Sequence, residues 1–349
     1  MESARVIVSE RESERIIDLK DKKIVEILSR NSRTPVNRIA KILGYSKEVV
    51  KYRIEKLIKE NIITDFYAVI NSSKLGYNRF NIYLEFHNLT KQDEEEVVGY
   101  LLGHSNISWV ITTSGKWDFM IQVYTKTISE LDEILMEISS KFVNLLKDYE
   151  LYIVTQFHHI RPKFISEKIK SEEIKNLPYH HELSLKNEEK LNVDNKDIKI
   201  LKLLEKNSRM SVLDIGRKLN LSKDIVQYRI KKLVKQKLIT DFMLRVNWSS
   251  LGYQYYSVLL KLKNIDEKKR RKMIDSLKAR KEVIAVFVQI GHWNLCIQSI
   301  VKDAVELKKL ISEIKELFRD IIEDNESVLY FNQYRFTYLP ESIMKEIGS

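Results

Sequence analysis

A block of this sequence returns 176 residues after its first appearance, so the chain must build the same unit twice. Asn31-Ser32-Arg33 recurs as Asn207-Ser208-Arg209, and Tyr52-Arg53-Ile54 as Tyr228-Arg229-Ile230. Ile63-Thr64-Asp65-Phe66 recurs as Ile239-Thr240-Asp241-Phe242, and Gly115-x-Trp117 as Gly291-x-Trp293. From Lys22 to Phe66, 22 of 45 positions match their counterparts without a gap. So long a period marks a duplicated unit rather than a solenoid. The pattern divides the chain into five segments. A winged helix-turn-helix covers 18–70 and a βαββαβ domain 76–165. A Lys-, Glu- and Asn-rich linker covers 166–192. A second winged helix-turn-helix covers 193–246, and a second βαββαβ domain 252–340. The fold class is α+β.

The first half of each unit reads as three helices and a strand. Ile24, Ile27 and Leu28 lie at helical spacing, and Pro35 suits the first turn of a second helix that Gly44 closes. Ser46 is a good N-cap for a third helix with the apolar stripe Val50, Ile54 and Leu57. Ile62–Ile70 then reads as a wing strand. The second copy repeats this in 198–204, 212–219, 222–234 and 239–246. In a helix-turn-helix the third helix enters the major groove. Here it is basic: Ser46–Lys59 holds five basic and two acidic residues, and Ser222–Lys235 five basic and one acidic.

Reach divides the labour along these helices. Lys47, Glu48, Lys51 and Tyr52, with Lys223, Asp224, Gln227 and Tyr228, are placed for base edges. Arg53, Lys56 and Lys59, with Arg229, Lys232 and Lys235, are placed for phosphates. The amide ends at Ser46 and Ser222 can also receive a phosphate. Arg53 has an alternative, which is pairing with an acid inside the domain.

The second half of each unit alternates strand, helix, strand, strand, helix, strand, a ferredoxin-like order. The expected elements are 80–86, 92–103, 107–113, 118–124, 129–146 and 150–157, then 255–262, 267–280, 283–290, 295–301, 304–318 and 327–334. Gly115 and Gly291 sit at hairpin turns. Trp117 and Trp293 read as packing anchors, with aromatic ligand contact as the alternative.

Composition narrows the partners. Lys and Arg outnumber Asp and Glu by 60 to 49, which favours a polyanion. Cys296 is the single cysteine, so no intrachain disulfide forms, and its apolar flanks predict a buried small hydrophobe. No apolar run approaches the ~20 residues of a membrane span. The expected setting is cytoplasmic, with no membrane partner. There is no Gly-rich phosphate loop, Cys-x-x-Cys or His-Glu-x-x-His. His158-His159 are strand neighbours that point to opposite faces, so no metal or cofactor is expected.

Taken in order, these motifs resemble the leucine-responsive/asparagine-regulator (Lrp/AsnC, feast/famine) family. Asp18-x-x-Asp21-x-x-Ile24 and Asp194-x-x-Asp197-x-x-Ile200 match its opening, and Asn31-Ser32-Arg33 its next step. Ser46, Arg53, Ile54 and Leu57 match its recognition helix, Leu75-Gly76 the step after the wing, and Gly115-Lys116-Trp117-Asp118 its Gly-x-x-Asp hairpin. Three departures stand out. The chain carries two units. The glycine after the recognition helix is Asn61 or Lys237. The second hairpin reads Gly291-His292-Trp293-Asn294. The resemblance implies a DNA-binding transcription regulator that takes double-stranded DNA and a small-molecule effector, often an amino acid. It places the effector near Gly115, Trp117, Asp118, Gly291, Trp293 and Asn294. It also implies self-association through the βαββαβ domains, within the chain or between chains. Some sirohaem decarboxylases resemble this family, so an enzyme on the same scaffold is one alternative. An effector-binding protein without DNA binding is another.

Overall fold

The computed structural model describes residues 6–7, 15–161, 180–184, 190–263 and 265–348. Most of the expected linker 166–192 therefore lies outside the described residues. Strand β1 is Val6–Ile7. Helices α1 (Leu19–Arg30), α2 (Val36–Leu43) and α3 (Lys47–Lys59) form the first trihelical body. Asp18 caps α1, accepting from the Asp21 amide at 2.8 Å. Gly44 ends α2 in the left-handed region at φ 67°, and Ser46 caps α3. Val50, Ile54 and Leu57 are buried, as the stripe predicts. Each contributes about 1.5–3 kcal/mol by leaving water.

The chain continues through β2 (Ile63–Ile70), β3 (Asn78–Phe86), α4 (Lys91–Gly103), β4 (Ile107–Thr113), β5 (Phe119–Thr125), α5 (Ile128–Lys141) and β6 (Leu146–Ile160). Strand β7 is His180–Ser184. The second unit repeats the order: α6 (Asn195–Lys206), α7 (Val212–Leu219), α8 (Lys223–Lys235), β8 (Ile239–Val246), β9 (Gln254–Leu262), α9 (Glu267–Ala279), β10 (Val283–Ile290), β11 (Leu295–Val301), α10 (Ala304–Leu317) and β12 (Ile322–Phe336). A last helix, α11 (Glu341–Gly348), follows.

Three features depart from the expected elements. The wing strands β2 and β8 do not fold back within their own units; they pair with each other, antiparallel, with Tyr67 opposite Met243. The final strands β6 and β12 run 15 residues each, about twice the expected span. Each is long because it pairs with strands of both units. Strand β6 lies on β3 from Leu146 to Ile153 and on β10 from Ile153 to His159. Strand β12 lies on β9 as far as Tyr330 and on β4 beyond it. The strand order β4-β5-β3-β6-β10-β11-β9-β12 thus returns to β4 and closes. The helix expected over 129–146 stops at Lys141, because Phe142 to Leu145 turn the chain into β6.

Alternation sorts the side chains of this ring. On β3, Phe80, Ile82, Leu84 and Phe86 meet α4 and α5 on the outside. Between them, Arg79, Asn81 and Tyr83 take the inner face. On the second unit Val258, Leu260 and Leu262 meet α9 and α10. Inside the ring Tyr83, Tyr330, Ser257 and Cys296 form a polar string, with Ser257 Oγ 3.0 Å from Cys296 Sγ. Burial pushes the Cys296 thiol up to about 12, so it stays protonated. The two units therefore pair within one polypeptide, around a local twofold axis.

Candidate nucleic-acid interface

The faces of α3 and α8 away from their apolar stripes are open. Ser46, Lys47, Glu48, Lys51, Tyr52 and Lys59 are exposed, as are Ser222, Lys223, Asp224, Gln227, Tyr228 and Lys235. Tyr52 and Tyr228 are 67% and 69% exposed, uncommon for rings of that size. Lys56 and Lys232 are half-buried. The contact of Lys51 with Glu55 at 3.8 Å is an exposed helix pair of little energetic weight, so a phosphate could displace it. Lys232 lies 3.8 Å from Asp197, a carboxylate 1% exposed, and is held more firmly.

Arg53 and Arg229 belong elsewhere. The Arg53 guanidinium donates to Asp18 at 2.7 and 2.8 Å and to Asp21 at 2.7 Å. Arg229 does the same with Asp194 and Asp197. This is the acid pairing that the sequence leaves open for Arg53, made here by both arginines in place of the phosphate role, and it ties the recognition helix to the N-terminus of the first helix. Burial works against ionised Asp18, yet the Asp21 amide and the Arg53 guanidinium together hold its carboxyl below the usual value.

Sequence reasoning assigned no role to Ser32, Arg33, Ser208 or Arg209. They fasten the two copies together. Ser32 Oγ lies 2.6 Å from Ser208 Oγ. The Ser32 amide donates to Phe242 O and the Ser208 amide to Phe66 O, both at 2.8 Å. Arg33 donates to the carbonyls of Ser208 and Met210, and Arg209 to those of Ser32 and Thr34. Each guanidinium also covers a ring across the axis, Arg33 on Phe242 at 5.4 Å and Arg209 on Phe66 at 5.3 Å. With the β2/β8 ribbon, this joins the two recognition helices in one body. The signal was the repetition of Asn-Ser-Arg in both copies.

Most hairpin side chains assigned to an effector are engaged within the fold, though the Trp117 indole Nε1 is buried without a hydrogen-bond partner. Trp117 is 1% exposed and packs on Tyr83; Trp293 is buried. Asp118 accepts from the Phe86 amide at 2.7 Å, and burial raises its carboxyl pKa. Asn294 makes the equivalent bond to the Leu262 amide at 2.8 Å and donates back to the Leu262 carbonyl at 2.9 Å. An amide thus replaces a carboxylate in the second copy and still supplies the acceptor. The two glycines differ more. Gly115 stands at φ +94° in open space. At Gly291, φ is +151° and a Cβ would lie 2.5 Å from Tyr152 Cδ1. Gly291→Ala should therefore lower stability by about 1–3 kcal/mol from backbone strain alone, and by more than Gly115→Ala, as paired denaturant titrations would read. Equal effects would show that the Tyr152 contact relaxes freely.

No helix among the described residues is long and apolar enough to cross a membrane. Nor do the described residues gather three metal-binding side chains.

Comparison with known proteins agrees with this architecture. The AsnC-type helix-turn-helix domain matches residues 193–234, and the winged helix-turn-helix DNA-binding family matches 17–64. The HTH-type transcriptional regulator FL11 of Pyrococcus furiosus is 34% identical over 125 residues, covering 36% of this chain and 82% of its own. The HTH-type transcriptional regulator Ptr1 of Methanocaldococcus jannaschii is 31% identical over 124 residues, covering 35% of this chain and 80% of its own. Among solved structures, the siroheme decarboxylase NirDL superposes with a TM-score of 0.62 at 14% identity. That match covers 94% of this chain and 97% of the other, a likeness of fold across both units. This chain belongs to the Lrp/AsnC family of transcription regulators and carries two of the family's units in one polypeptide.

Proposed function

We propose that this chain binds double-stranded DNA through α3 and α8 together, as a sequence-specific transcription regulator modulated by a small molecule. The observation that carries the reading is the pair of exposed basic helices joined by a single ribbon. Lys47, Lys51 and Tyr52 reach bases in one half-site; Lys223, Gln227 and Tyr228 reach them in the other. Lys59 and Lys235 lie a few turns on and meet phosphates, with Lys56 and Lys232 in support. Arg53 and Arg229 hold the helices in place. This activity puts the chain with the chromosome, in the cytoplasm.

The test is an anisotropy titration against genomic fragments at several salt concentrations. If about four lysines displace counterions, log K falls with log salt at a slope near −4, and a subset of sequences binds far above the rest. A flat salt response, or equal affinity for every fragment, would sink the reading. The fold shared with a siroheme decarboxylase suggests a second reading, an enzyme. A tetrapyrrole absorption band in purified protein would favour it. Basic exposed helices are no requirement of tetrapyrrole chemistry, and their presence in both copies favours the regulator.

A further inference from the structure

We propose that a cavity beneath the β2/β8 ribbon is a binding site for a small planar organic monocarboxylate, anchored by Arg79. This deepens the effector reading above by giving it a place other than the hairpins. Arg79 projects from β3 to the inner face and is 6% exposed. Its guanidinium lies over the rings of Phe157 at 4.9 Å, Tyr124 at 5.3 Å and Tyr338 at 5.9 Å. Among the described residues no carboxylate forms an ion pair with it. A guanidinium carries five donors and a permanent charge, and burying that charge without an anion is strongly unfavourable.

The duplication supplies an internal control. The position equivalent to Arg79 in the second unit is Tyr255, whose hydroxyl donates to Gln298 at 2.5 Å. In the first unit Gln122, the counterpart of Gln298, turns instead to Asn81 at 2.9 Å. The same strand therefore folds with a neutral, fully satisfied side chain in that place. The ring does not need a cation there, and the first copy has one.

Arg79 lines a cavity of about 100 Å³ between the ring and the ribbon, walled also by Trp109, Phe157, Phe336, Tyr67 and Leu244. The Trp109 indole Nε1 is buried there without a hydrogen-bond partner. An indole donor without an acceptor and a guanidinium without a counter-anion meet several ring faces. A carboxylate answers the donors and a planar body answers the rings. A cavity of about 150 Å³ takes up benzene, which bounds the ligand to a few heavy atoms beyond its carboxylate. The ribbon that roofs the cavity also carries both recognition helices.

The test uses the whole chain without DNA, so its outcome is independent of the DNA reading. Thermal melting and calorimetry are run with acrylate, pyruvate and 2-oxobutanoate, against pyruvamide and against chloride at equal ionic strength. The expected result is saturable stabilisation by at least one carboxylate and none by pyruvamide or chloride. Arg79→Met should abolish that response and raise the melting temperature of the ligand-free protein. Arg79→Tyr, which installs the side chain of the second copy, should do the same. No response to any of the three carboxylates overturns the proposal, as does an equal response to pyruvamide. Loss of folding in both variants would assign Arg79 to the core and overturn it too.

Discussion

Disabling one recognition helix should cost this protein about 10²- to 10⁴-fold in affinity for its operator, although the second helix remains intact. The expectation follows from the ribbon and the Ser32–Ser208 contact, which hold α3 and α8 in one body. Once one helix is seated, the other binds from within the same molecule, at an effective concentration that a separate module would not have. On the proposed interface, Lys51→Glu with Tyr52→Ala should remove base contacts worth about 1–3 kcal/mol each, and the bivalent advantage with them. Both side chains are exposed, so melting should be unchanged. The two halves should also read different bases. Position 51 is lysine and its counterpart is Gln227; lysine suits guanine and glutamine suits adenine. The operator should therefore be an imperfect palindrome, with half-sites about one helical turn or a multiple apart. Binding-site selection followed by anisotropy on full and half operators checks both points. A strict palindrome would contradict the asymmetry. An affinity loss no larger than that of one isolated contact would show that the helices act separately.

How much of this was legible beforehand depends on where each residue finds its partner. Strands β4, β10 and β11 match their expected limits because polar turns and apolar alternation lie within the segment itself. The lower halves of β6 and β12 were missed. Lys147 and Asp148, like Glu323 and Asp324, look like loop residues, and pairing with a neighbouring strand holds them extended. Ser32 and Arg33 could not be assigned from one copy, since their partners sit across the local axis. Asp118 and Asn294 were marked for an effector by the family resemblance; in the fold each accepts from a strand amide 32 residues away. Arg79 was readable in principle. Aligning the two copies sets it against Tyr255, and a cation in one copy where the other has a tyrosine is the kind of departure that duplication exposes.

Arg53 separates a fold role from a DNA role most sharply. Arg53→Ala should destabilise the first helix-turn-helix by about 3–5 kcal/mol, because it strands a buried carboxylate. Asp21 has 2% of its side chain exposed, and the Arg53 guanidinium is its cationic partner, at 2.7 Å. If Arg53 served only a phosphate, the same change would leave stability alone and reduce the salt slope by about 0.9. Reversible urea unfolding with an anisotropy titration on the same sample distinguishes the two. Adding Asp21→Asn should restore part of the loss, because the side chain left behind is neutral; the double-mutant cycle then measures the coupling. Acid adds an independent reading. The folded pKa of Asp18 is depressed, as is that of Asp194 in the second copy. Their stabilisation is complete above the ordinary carboxylate pKa and disappears as pH falls through the depressed folded values. Wild-type protein should therefore lose stability below about pH 4, and Arg53→Ala should lose less of it over that window, since Asp18 no longer has a cation to release. Wild-type stability in Arg53→Ala, with a weakened salt response, would return Arg53 to the DNA interface.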